Sequence, residues 1–303
     1  MRLCERPVAE RLARVVGTSE RPDVPVIASN RITDLADAEA VLAGGLIDAD
    51  ALARPFLADP HLVRRTLEGA APIVCIGCDQ ACIDRSLVSR PVSCLVNPRA
   101  GEETRYPLRL VARPRRIAVV GGGPAGLTAA LDLVRRGHAV QLLEADDGLG
   151  GQFRLAARVP GQEDYGGFVA AARRELLERG AEVRLGTRAA PGELVGFEGV
   201  VVATGVQPRR LALPGAELPH VLPYDRALRE GVPPGRVVVV GGGGNGIDTA
   251  TTLVEPARAP EPLAGGAPSP GPRPGAQVTV LRRRCCCRRT SWSCASARSP
   301  TEH

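Results

Sequence analysis

The sequence predicts an α/β protein built on parallel sheets. Three observations carry that expectation. Strand and helix patterns alternate along most of the chain. Two apolar strands, RRIAVV and RVVVV, each run into a Gly-x-Gly-x-x-Gly turn and then a helical pattern. A shorter strand–helix–strand–helix stretch precedes them. With 303 residues, the chain is at the long end of what one domain holds, so two domains or pieces of three are expected.

Composition and charge narrow the class. Apolar residues make up 44% and charged residues 24%, as in folded globular chains. No apolar run reaches the roughly 18 residues that a membrane span needs. The start, MRLCERPVAERLAR, has no continuous apolar stretch of the kind a secretory leader carries. A cytoplasmic protein without a membrane partner is therefore expected. The net charge is +6, and every basic side chain is Arg. Residues 278–303 hold six Arg against one acid, Glu302, so nearly all of the excess sits in this tail. The body is close to neutral and aromatics are only 3%, which argues against a nucleic-acid partner.

Residues 5–16 carry apolar positions at helical spacing, and 24–29 reads as a short buried strand. Residues 34–42 predict a helix capped by Thr33 or Asp34. A strand follows at 49–53, unusually polar because of Asp48 and Asp50, and then a short helix at 59–68. Residues 75–107 read as loop. A strand at 116–120 leads through a Gly-rich turn to a helix at 125–136 and a strand at 139–144. A helix at 168–178 and strands at 182–185 and 199–203 come next. The strand at 236–240 opens the second Gly-rich turn and helix. Residues 255–277, rich in Pro, Gly and Ala, read as an irregular insertion. One last strand is expected at 278–281. Beyond it, RRRCCCRRTSWSCASARSPTEH has no usable period and is expected to be disordered.

The first Gly-rich turn has every part of a dinucleotide fingerprint. Gly121 permits the tight turn, Gly123 lets backbone approach a pyrophosphate, and Gly126 lets helix pack on strand. The helix N-terminus offers free N–H groups to phosphate. Glu144, at the end of the next strand, can accept hydrogen bonds from a ribose diol. Gly150-Gly151-Gln152 follows it, and residues 201–205 end a strand in Ala-Thr204-Gly205. These last two features favour FAD at this site. The second fingerprint, Gly241, Gly243 and Gly246, follows in the order expected of a nicotinamide-nucleotide domain. Arginines 282–284 end its second strand where an acid would favour NAD, so Arg283 and its neighbours point to the 2′-phosphate of NADP(H).

The nine cysteines divide into groups. Cys75, Cys78, Cys82 and Cys94 have spacings of two, three and eleven intervening residues. Four thiolates suit either a [4Fe–4S] cluster or Zn²⁺. Structural zinc more often uses two separated Cys-x-x-Cys knuckles. Cys285, Cys286, Cys287 and Cys294 lie in the Arg-rich tail, and Cys4 stands alone.

In one line the chain carries PVIASNRI, ALARPFLADP, CIGCDQAC, SCLVNPRAGEE, VVGGGPAGL, GGQF, ATG and VVGGGGNGIDTA. This order resembles the 2,4-dienoyl-CoA reductase branch of the flavoproteins related to old yellow enzyme, with trimethylamine dehydrogenase more distant. The resemblance spans about residues 24–254 and, weakly, 278–284. It implies the last two βα units of an FMN-carrying TIM barrel over residues 1–72 and a cysteine loop and linker over 73–112. It further implies an incomplete Rossmann-like FAD domain over 113–232 and the start of an inserted NAD(P)-binding Rossmann domain over 233–284. Residues 285–303 are a tail outside the pattern.

By that resemblance, Cys75, Cys78, Cys82 and Cys94 hold a [4Fe–4S] cluster. Asn30 and Arg31, then Ala53 and Arg54, sit in the loops that hold the FMN phosphate. The implied reaction carries electrons from NAD(P)H through FAD and the cluster to FMN, which reduces an activated C=C bond such as that of a 2,4-dienoyl-CoA. No catalytic residue is assignable, because the pattern places the catalytic Tyr and His in barrel units that this sequence does not contain. An incomplete gene product is expected, its tail resembling an out-of-frame reading. Alternative readings are an electron-relay subunit whose barrel is completed by a partner chain, and a non-catalytic remnant.

Overall fold

The computed structural model describes residues 25–29, 32–45, 47–209, 212–233, 235–255, 277–283 and 292–297. The helix expected at 5–16, Asn30 and Arg31 lie outside the described residues. The described residues include three strand–helix–strand units in series, each built on a parallel strand pair.

The first unit pairs β1 (Ile27–Ser29) with β2 (Ala49–Ala51) in parallel, with α1 (Leu35–Leu42) crossing between them. The Asp34 carboxylate caps α1 by accepting from the Asp37 N–H at 2.8 Å. The unit's core is small: Ala28, Ile32, Ala38, Val41 and Ile47. Asp50 sits within β2 with both carboxylate oxygens buried and without a hydrogen-bond partner. Burial, with nearby Glu39, pushes its pKa up.

A short helix that the sequence pattern did not mark, α2 (Arg54–Ala58), precedes the one expected over 59–68, which is α3 (Leu62–Leu67). Pro55 sits in the first turn of α2, where no intrahelical partner awaits its missing N–H. Asp59 separates the two helices. Its extended backbone stops α2, and its buried carboxylate accepts from the N–H groups of His61 and Ile73. Residues 75–107 are mostly loop as expected, apart from one short helix, α4 (Ile83–Leu87).

The second unit is a four-stranded parallel sheet of β3 (Arg116–Val120), β4 (Ala139–Leu143), β5 (Glu182–Arg184) and β6 (Gly199–Val202), in the order β5-β4-β3-β6. α5 (Pro124–Arg135) and α7 (Asp164–Glu178) pack on it, and α6 (Gln152–Ala156) packs on α7. Ile117, Ala118 and Val119 are buried in succession, as a strand covered on both faces requires. The chain leaves β3 toward β4 and β5, then returns to β3's other side with β6. The strand order therefore reverses at the C-terminal end of β3, where open α/β sheets bind ligands.

The third unit comprises α8 (Tyr224–Glu230), β7 (Arg236–Val240), α9 (Gly244–Val254) and β8 (Gln277–Arg283), with β7 and β8 parallel. Two expectations are corrected here. The last strand runs to Arg283 rather than ending at residue 281. The tail contains β9 (Trp292–Ala297), antiparallel to β8 with Val278 opposite Ala297 and Arg283 opposite Trp292. Without β9 the outer edge of β8 would expose unpaired N–H and C=O groups. A stretch with no apolar period can fill that place, because backbone hydrogen bonds alone define the pairing. Among the described residues no helix is long and apolar enough to cross a membrane.

Candidate functional site

The two Gly-rich turns are built alike. Gly121 and Gly241 have φ of +106° and +125°, which L side chains rarely adopt. A Cβ on Gly126 would fall 1.8 Å from Gly121 O, and one on Gly246 would fall 1.9 Å from Gly241 O. At Gly123 and Gly243 a Cβ would meet nothing within 4 Å. The outer glycines thus serve the turn and its packing, while the middle one faces open space above the helix N-terminus. That is the division of labour a bound pyrophosphate requires.

Around the first turn the structure gathers the other sequence-selected residues. Glu144 Oε2 accepts from the Gly122 N–H at 2.5 Å, and Oε1 accepts from the Asp146 N–H at 2.8 Å. Gly150 N–H donates to Gly122 O at 2.7 Å, and Gly151 stacks on Gly123, where a Cβ would lie 3.1 Å from its Cα. Gln152 Nε2 donates to Val206 O, just past Thr204-Gly205, at 3.2 Å. Ala203 N–H donates to Val120 O, so the end of β6 closes against the turn. The structure adds Tyr224, whose hydroxyl donates to Gln152 Oε1 at 3.2 Å. No motif marked it, because the contact spans 72 residues.

A shared backbone bond aligns the two sites. Gly121 N–H donates to Leu143 O, and Gly241 N–H donates to Leu281 O. Leu281 is therefore the counterpart of Leu143, and the position of Glu144 is taken by Arg282. Arg283, selected from sequence, falls one residue beyond it and remains inside β8.

Cys75, Cys78, Cys82 and Cys94 line one small cavity with Arg54, Leu57, Ile76, Asp79, Ala81, Leu95 and Val96. All four are half-buried, and none is in a disulfide. Burial pushes the thiols of Cys75, Cys78 and Cys94 up. Opposing it, backbone N–H groups reach the sulfurs: Gly77 to Cys75, Gln80 to Cys78, Val96 and Asn97 to Cys94. Cys75, Cys78 and Cys94 also pack against the core cluster that contains Leu127 and Ala130 of α5. Among the described residues, no three His, Cys, Asp or Glu side chains are gathered closely enough to hold a single metal ion.

Ala53 is the residue before α2, and Arg54 points into the cysteine cavity. Its Nη1 lies 2.5 Å from Asp79 Oδ1. Asp59 pairs with Arg65 at 3.3 Å.

The pyridine nucleotide-disulphide oxidoreductase family model matches residues 115–291. A metal reductase of Desulforamulus reducens is 37% identical over 251 residues, covering 79% of this chain and 37% of its own length. An NADH oxidase of Thermoanaerobacter brockii is 34% identical over 259 residues, covering 82% of this chain and 39% of its own. A solved 2-naphthoyl-CoA reductase complex superposes with a TM-score of 0.74 at 27% identity, over 82% of this chain and 38% of that one. The chain thus spans well under half the length of these relatives. The matched segment begins just before β3 and takes in both Gly-rich turns with the sheets that carry them. On that match the chain belongs to the pyridine nucleotide-disulphide oxidoreductase family.

Proposed function

We propose that this chain is the nucleotide-handling and electron-input part of a flavin- and iron–sulfur-dependent oxidoreductase. The overall reaction couples NAD(P)H oxidation to reduction of an activated C=C bond, such as that of a 2,4-dienoyl-CoA thioester. One observation carries the reading: the four-cysteine cavity shares a hydrophobic core with the helix that follows the first phosphate turn.

The residues present fit FAD at the first turn. Gly121, Gly123 and Gly126 with the start of α5 would hold the pyrophosphate, and Glu144 would hold a ribose. Gly151, Gln152, Thr204 and Gly205 would line the path toward the flavin. At the second turn, Gly241, Gly243 and Gly246 would hold the nicotinamide nucleotide. The Arg282–Arg283 end of β8 favours NADPH over NADH.

The cavity fits an iron–sulfur cluster better than zinc. The cysteine spacing favours the cluster, since structural zinc more often uses two separated Cys-x-x-Cys knuckles. Four thiols around a common cavity, with backbone N–H groups directed at three of them, suit cysteine ligation of an inorganic cluster. A [4Fe–4S] cluster supplies one-electron chemistry when bound. Leu57, Ile76, Leu95 and Val96 form the apolar part of the cavity wall.

The resemblance to barrel flavoproteins extends the reading to the first unit. Residues 1–72 are the end of an FMN-binding barrel, with Asn30, Arg31, Ala53 and Arg54 toward the FMN phosphate. Anaerobic purification followed by flavin identification and iron, sulfide and zinc analysis tests the proposal. FAD with iron and sulfide in equal amounts supports it; zinc, or neither flavin nor metal, overturns it.

A further inference from the structure

The wall of the cavity that the four cysteines line also holds one pair of charged residues. Arg54 enters from the N-terminus of α2, its side chain only 16% exposed. Asp79 follows Cys78 directly and holds a backbone φ of +56°, one of two non-glycine residues with positive φ among those described. Asp tolerates this left-handed region better than most residues. The conformation turns its carboxylate back onto the Arg54 guanidinium, 2.5 Å away. A second tie, Asn97 Nδ2 to Leu57 O at 2.9 Å, holds the same α2 segment against the cysteine loop. The guanidinium is thus fixed on the wall of a cavity whose other polar groups are sulfurs, with the carboxylate as its counter-charge.

We propose that Arg54 and Asp79 form a charge couple that sets the reduction potential of the centre held by Cys75, Cys78, Cys82 and Cys94. This rests on the iron–sulfur reading above. Four thiolates give such a centre a negative charge, and reduction adds one electron with no bond made or broken. A fixed cation at the wall stabilises the more negative, reduced state and raises the potential; a fixed anion does the reverse. Arg54 dominates because it is the more buried of the two, with side-chain exposures of 16% and 41%. Arg54 is therefore a positioning residue of the electron path as well as a candidate for phosphate binding.

The couple makes a prediction that a structural ion pair does not. Arg54→Gln and Asp79→Asn break the same contact. If the pair only braces the loop, both substitutions move the centre in the same direction or not at all. If it acts by charge, they move it oppositely: R54Q to a more negative midpoint, D79N to a more positive one, with R54K close to wild type. The measurement is a dithionite titration of the reconstituted full-length chain, followed by electron paramagnetic resonance and iron content. Opposite shifts support the proposal, and shifts of one sign or none overturn it. Should R54Q fail to retain iron, D79N decides alone: a midpoint that is unmoved or more negative overturns the proposal. A wild-type chain that assembles no iron–sulfur centre overturns the underlying reading and this proposal with it. That outcome is distinct from a centre that assembles but ignores both charges.

Discussion

At the residue scale, each Gly turn separates strain from access. Gly126 has no room for a Cβ, since Gly121 O would lie 1.8 Å away. Gly126→Ala must push helix from strand, and a destabilisation of about 2 kcal/mol is expected from overpacking. The variant should show a lower thermal midpoint and lose bound flavin. Gly123→Ala meets nothing within 4 Å. It should keep the wild-type midpoint in flavin-free protein yet bind FAD at least tenfold more weakly, because a methyl group would stand where phosphate approaches. Flavin retention and a thermal melt on both variants check the pair. Equal melts with equal flavin retention would contradict the assigned roles. These glycines were legible in the sequence because a backbone constraint leaves a fixed spacing. Asp79 and Tyr224 were not, since their partners lie 25 and 72 residues away.

At the element scale, the alternation of apolar strand and turn made most of the second unit readable before any coordinates. The strand 116–120 and helix boundaries within a residue of 125–136 follow from local pattern alone. Short helices were missed where local context sets them: α2 by a proline at its first turn, α6 by the glycine pair before it, and α8 between two loops. β9 was missed because its stabilisation is a neighbour's open edge rather than its own side chains. The register of β8 sharpens one site residue. Since Leu281 answers to Leu143, Arg282 takes the place of Glu144. Arg282→Glu should therefore shift the ratio of kcat/KM for NADPH over NADH toward NADH by roughly tenfold, the effect of about 1.4 kcal/mol. Arg283→Glu should shift it less. Steady-state NAD(P)H oxidation with an artificial acceptor measures both ratios, and the reverse ranking would restore Arg283 as the site residue.

At the scale of the whole molecule, one buried carboxylate ties the segment after the first sheet to the second. Glu175 on α7 meets Arg135 of α5 at 2.6 Å, Arg179 at 2.8 Å and Arg65 of α3 at 3.1 Å, and Arg65 in turn pairs with Asp59. Burial alone would raise its pKa. The Arg135, Arg179 and Arg65 cations outweigh burial and hold it down at about 2, against an ordinary 4.5. A pKa depressed on folding contributes stability that is fully present above the unfolded value. It is lost as pH falls from about 4.5 through about 2. The contribution is on the order of 3 kcal/mol, since each unit corresponds to about 1.4 kcal/mol. Glu175→Gln removes the pH-dependent part and leaves Arg65 and Arg135 short of a buried partner, which costs about 3 kcal/mol or more. Urea unfolding of wild type and variant between pH 7 and pH 3 tests this. The two curves should be well separated at pH 7 and draw together below about pH 4.5, as the carboxylate of the unfolded chain takes up its proton. A separation that stays constant over that range would show that Glu175 acts through its shape and hydrogen bonds alone. Convergence would identify its charge as what ties α3 to α7 and to α5, the helix that follows the first phosphate turn.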